Sequence, residues 1–75
     1  MSAGALRLVL VQVAAVQGVG LVRVTWSRAL ACYLVHARAP GGRLVAEHET
    51  ADKGRALELA ALELDRLAEL AGMPA

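Results

Sequence analysis

Phenylalanine does not occur in this chain, and Trp26 and Tyr33 are its only aromatic residues. Any core must therefore be filled by leucine, valine and alanine. Cysteine is nearly absent as well. Cys32 stands alone, which excludes an internal disulfide and any cysteine-rich zinc knuckle. With no acidic or basic residue beside it to tune the thiol, Cys32 reads as a small packed hydrophobe. Acids are missing from the first 46 residues, where Arg7, Arg23, Arg28, Arg38 and Arg43 give a charge of +5. Residues 47–75 set Lys53, Arg55 and Arg66 against Glu47, Glu49, Asp52, Glu58, Glu63, Asp65 and Glu69, a balance of −4. The net +1 thus hides a polarity that can orient self-association or steer a charged partner.

A membrane-spanning run is lacking too. Residues 8–22, LVLVQVAAVQGVGLV, are uncharged, but these 15 residues fall short of the ~20 that a spanning helix needs. Gln12, Gln17, Gly18 and Gly20 interrupt them further. Arg7 followed by the apolar stretch 8–16 has the outline of a signal peptide. Removing it would leave too little chain for a core, so the expectation is a cytoplasmic protein, with which the lone cysteine agrees.

What is present is enough for one small domain. At 75 residues a chain buries only roughly 60% of its unfolded surface, so a second chain would help materially. The 57% hydrophobic content excludes a disordered tail. Punctuation falls at QGVG (17–20), PGG (40–42) and GMP (72–74). The first extended segment, LRLVLVQVAA (6–15), is apolar at both parities, as in a central or doubly covered strand. In LVRVTWSR (21–28), Val22, Val24 and Trp26 point one way and Arg23, Thr25 and Ser27 the other, and a short glycine-containing link pairs it with the first. In ALACYLVHARA (29–39) the apolar set is Ala31, Tyr33, Val35 and Ala37. The parity has switched, and with no Gly or Pro nearby the spacing predicts one long strand over 21–39, bent near 27–31. RLVAEHET (43–50) returns from the PGG turn.

A helix is expected from about Asp52 to Ala71, capped by Thr50 or Asp52 and stopped by Gly72 and Pro74. Gly54 weakens its first turn. Leu57, Ala60, Ala61, Leu64, Leu67, Ala68 and Ala71 form a broad apolar face for the sheet. Leu59, Leu62 and Leu70 fall among Glu58, Glu63, Arg66 and Glu69 on the far side, which marks Leu59, Leu62, Arg66 and Leu70 as a protein-interface surface. The fold class is α+β: a three- to four-stranded antiparallel sheet with one C-terminal helix packed on one face.

The hairpin HARAPGGRLVAEHET (36–50) holds both histidines. Matching the inward sets pairs Ala39 with Leu44, Ala37 with Ala46 and His36 with Glu47, which sends His36 and His48 to opposite faces and sets His48 beside Val35. A three-residue PGG loop with a bulge would instead bring them diagonal on one face, at the cost of mixing Leu44 and Ala46 with Arg38. Two histidines do not make a zinc site, which takes three or four ligands. No phosphate loop, nucleophile elbow, paired-histidine helix or acidic calcium loop occurs, so no catalytic residue, metal or cofactor is assigned. Glu58, Asp65 and Glu69 share a helix stripe that reads as solvated. Arg23, Arg38 and Glu47 on the polar sheet face are the residues for a partner or for nucleic acid. Against the latter stand the acidic helix and the scarcity of stacking aromatics.

The stretch ETADKGRALELAALELDRLAEL (49–70) resembles the entry into the first helix of ribonuclease H-like folds, matched at Arg55, Glu58, Leu59 and Ala61. The resemblance would put Glu58 at the position of a metal-binding glutamate. Residues 6–15 lack the aspartate that the family carries on its first strand, and with it the grouped carboxylates of two-metal chemistry. The chain is more similar to the partial ribonuclease H-like module of HicB-type antitoxins, whose length and element order it shares. That resemblance implies a module that covers a toxin and oligomerises. The end of a double-stranded RNA-binding domain also offers a strand and an alanine-rich helix, there with a basic helix start that Lys53 and Arg55 match. Together these readings lead to the expectation of a small non-enzymatic interaction module, homodimeric, antitoxin-like or inhibitor-like. A nucleic-acid-binding accessory protein is the alternative.

Overall fold

The computed structural model describes residues 8–72. Four strands, β1 (Leu8–Val16), β2 (Gly20–Ser27), β3 (Cys32–Arg38) and β4 (Leu44–Thr50), are followed by one helix, α1 (Lys53–Leu70). The strands form one antiparallel sheet in the order β1-β2-β3-β4, and α1 crosses β2, β3 and β4 on a single face. The α+β class expected from the sequence is the observed one.

Each link has a local cause. Between β1 and β2 the chain reverses with Val19 N–H donating to the Val16 carbonyl, helped by Gly18 at φ +79°. Gly20 then enters β2 at φ +137°, and a Cβ there would stand 2.4 Å from the Arg38 carbonyl oxygen, so no other residue fits that approach. The anticipated bend near 27–31 is a full reversal instead. Ser27 pairs with Cys32, and the residues between them form a turn. Ala31 takes the left-handed conformation (φ 53°) usually given to glycine, while Ser27 Oγ accepts from the Leu30 N–H. The parity switch was therefore the signature of two strands, and the cue that would have marked a turn, a glycine, is replaced by alanine. Asp52 caps α1 by accepting from the Gly54 and Arg55 N–H groups, and Gly72 closes its end at φ +74°.

The core lies between α1 and the sheet. Val22 and Val24 of β2, Val35 and Ala37 of β3, and Val19 are buried with Ala56, Ala60 and Leu67 of α1. Trp26 and Tyr33, cross-strand neighbours with ring centroids 4.7 Å apart, follow on the same side at the end where the chain enters the helix. In β1 a bulge between Leu10 and Gln12 inserts Val11, and Val11 is the β1 side chain that packs against the core.

Three expectations for the helix faces need correction. Leu59, placed on the outward face, is half-buried against the core. Ala61 and Ala71, placed inward, are exposed. Glu63 was set on the far side and is instead 3% exposed. The buried line runs Ala56, Ala60, Glu63, Leu67, about one position around the wheel from the stripe that hydrophobicity alone selects. A glutamate in that line is tolerable only because it is paired.

Candidate functional site

The pairing comes from β4. His48 lies opposite Val35, on the face beneath α1, and its Nε2 donates to Glu63 Oε2 at 2.6 Å. Arg66 Nη1 approaches the other carboxylate oxygen at 3.5 Å. A carboxylate only accepts, so His48 carries its proton on Nε2. Buried without partners, Glu63 would be costly; held by His48 and Arg66, it ties β4 to the helix.

His36 is on the other face, where its Nε2 donates to Glu47 Oε2 at 3.0 Å. The register places Arg23, His36 and Glu47 in one row across β2, β3 and β4, and Thr25, Leu34 and Glu49 in the next. The expected pairs of His36 with Glu47 and Ala37 with Ala46 are present. Leu44, however, opposes Arg38 rather than Ala39, because the register shifts after Ala37. The histidines are thus separated by the sheet, and among the described residues no group of three or more His, Cys, Asp or Glu side chains gathers as a metal site would require.

The sheet face away from α1 has no second layer among the described residues. Its polar centre has a distinctive feature: Arg23 Nε, Thr25 Oγ1 and His36 Nδ1 are shielded from water and lack any hydrogen-bond partner. Shielded polar atoms are normally paired; with no accessible surface of their own, these three meet a partner only if the side chains that cover them move. Arg38 is less free, since its Nη1 donates to the Gly42 carbonyl at 2.9 Å. Beside this patch, Leu8, Leu10 and Val13 of β1 are exposed on the same face, and Val9 and Val16 are exposed on the helix side, beyond the reach of α1. The sequence showed β1 to be apolar on both faces and implied a central or doubly covered strand; among the described residues it is an edge strand, apolar and open.

Of the residues expected on the outer helix face, Leu62 (56% exposed) and Leu70 (74%) stand in solvent, Arg66 is largely exposed, and Leu59 drops out. Arg23, Arg38 and Glu47 share the open sheet face. Leu70 also borders a cleft of about 310 Å³ with Val45, Pro40 and Leu67. The residues that sequence reasoning missed are Thr25 and the exposed side chains of β1. The signal for β1 was the uncharged, two-sided hydrophobicity of residues 8–16. No helix among the described residues is long and apolar enough to cross a membrane. No family model matches this chain, and comparison with curated proteins and with solved structures finds no match.

Proposed function

We propose that this protein is a small non-enzymatic interaction module that self-associates and acts by binding another protein, as an antitoxin-like or inhibitor-like regulator does. The observation that carries the reading is the open sheet face, where Leu8, Leu10 and Val13 of the apolar edge strand are exposed beside the polar row of Arg23, His36 and Glu47. Uncovered leucine and valine next to polar groups are what a protein surface completes. The resemblance to HicB-type modules in length and element order is in keeping with that role, and Leu62, Arg66 and Leu70 offer a second contact surface on the helix.

Nucleic-acid binding is the competing reading, favoured by Arg23 and Arg38 on one face. The register sets Glu47 and Glu49 on that face as well, so its charge is balanced and phosphates gain little there. Trp26 lies on the helix side with its partner Tyr33, away from any base that the open face could hold. The test is capture from host lysate by the tagged protein, with and without nuclease. A stoichiometric protein that survives nuclease, and is lost on changing Arg23 and His36 to Ala, is the expected result. Co-purified nucleic acid with salt-dependent loss in the Arg23→Ala, Arg38→Ala variant would overturn it.

A further inference from the structure

Strand β1 is the least protected element of the fold. Residues 8–16, LVLVQVAAV, contain no charge, proline or glycine, and among the described residues no strand pairs with the outer edge of β1. Natural edge strands are blunted by lysine, proline, inward charges or strong twist, because an open row of N–H and C=O groups templates pairing with another chain. Here the bulge at Val11 falls on the pairing with β2, and among the described residues nothing of the other kind guards the outer edge. Leu8, Val9, Leu10, Val13 and Val16 are each exposed by between 42% and 56%.

We propose that a second copy of this chain occupies that edge: β1 pairs antiparallel with β1 of its twin about a two-fold axis, joining two four-stranded sheets into one of eight. The proposal rests on the reading above that the chain works by joining other chains, and it names the first of those chains. Three properties favour a twin. Antiparallel pairing of a strand with itself is two-fold symmetric, so one strand supplies both halves of a closed, isologous interface. The strand is neutral along its length, so identical edges meet without like-charge repulsion. Closing the strand's backbone edge and the flanks of five large side chains in each copy involves on the order of 1,000 Å² in total, where specific interfaces begin. Stacking two open sheet faces would instead desolvate Arg23, Arg38, Glu47 and Glu49, at a cost that edge pairing avoids.

The symmetry sets the rest of the geometry. The dyad of an antiparallel pair stands perpendicular to the sheet, so both helices lie on one side of it. Glu63 of α1 meets His48 of β4, which turns the opposite helix flank, with Leu57, Leu64 and Ala68, toward β1. In the dimer Val9, Gln12, Ala14 and Val16 of both copies then floor a trough between two such flanks, apolar except for Gln12.

The test is a cysteine scan from Val9 to Ala15 in a Cys32→Ser background, with oxidative cross-linking. Equivalent residues separate along the strands by about 6.6 Å for each step from the dyad, and a disulfide needs Cα atoms within roughly 7 Å. Cross-linking is therefore expected to peak at one or two neighbouring positions and to vanish two residues to either side. Uniform cross-linking along β1, or none at any position, would overturn the dimer. In parallel, Leu10→Glu with Val13→Glu is expected to give a folded monomer, because Val13 lies opposite Arg23 and a carboxylate there has a partner. Leu62→Glu with Leu70→Glu should stay dimeric, and the reverse pattern would move the interface to the helix. A monomeric wild type that still captures a protein partner overturns this dimer and the self-association, and leaves standing the reading that the chain acts by binding another protein. A β1 dimer that captures only nucleic acid does the opposite.

Discussion

Glu63 is a charged residue in the line that a helix gives to its core, and one histidine decides whether it can stay there. His48 reaches it from β4 at 2.6 Å, so removal of the imidazole leaves a buried carboxylate with only the longer contact to exposed Arg66. Changing His48 to Ala should destabilise the fold by about 2 kcal/mol, less than for a fully buried pair because His48 is a third exposed. Replacing both members, as in His48→Leu with Glu63→Leu, should recover most of that loss, since apolar groups of similar size need no partner. Urea denaturation of the two single variants and the double variant measures the coupling; simple additivity would show that the pair does not hold β4 to the helix. This contact was invisible in the sequence. Periodicity assigns Glu63 to water by its type, and only the placement of β4 beneath the helix shows that a histidine 15 residues earlier stands ready to receive it.

At the scale of the elements, sequence patterns were informative where side-chain alternation was intact and failed where one residue carried an unusual backbone. The α+β class, the caps of α1 at Asp52 and Gly72, and the His36–Glu47 pair could all be read in advance, because turn and cap residues there are of the ordinary kinds. The β2–β3 hairpin could not, because Ala31 fills a left-handed position that glycine would have advertised. The strain there is measurable. Ala31→Gly should raise stability by roughly 0.5–1 kcal/mol in thermal or urea unfolding, and a loss of stability would mean that the turn is not built as described. The helix was misread by about one position on its wheel, which turns both Leu59 and Glu63 from the outward face toward the core and Ala61 out of it. Leu59→Glu should accordingly cost about 2 kcal/mol or more by forcing a charge against the core. Leu62→Glu, on an exposed site, should change stability by no more than about 0.5 kcal/mol. Equal effects of the two substitutions would restore the outward placement of Leu59.

The whole molecule is a thin layer, 43 × 27 × 15 Å across its principal axes, with a helix over three of its four strands. Among the described residues one helix covers three of the four strands, which leaves a bare face with a polar centre and an uncharged strand open at the edge. Those features are the physical content of the interaction-module reading. They were half-legible beforehand, since residues 8–16 announced themselves as apolar on both sides, but which side of the sheet they would end on depended on strand order, which hydrophobicity does not encode. The account stands on the claim that another chain closes this surface, the twin first. Sedimentation equilibrium of the purified, untagged protein between low and high micromolar concentration tests it most directly. The expected result is a mass of twice the 7.8 kDa of one chain, falling to a single chain in the Leu10→Glu, Val13→Glu variant while its circular dichroism is unchanged. A wild-type protein that sediments as one chain across that range would contradict it.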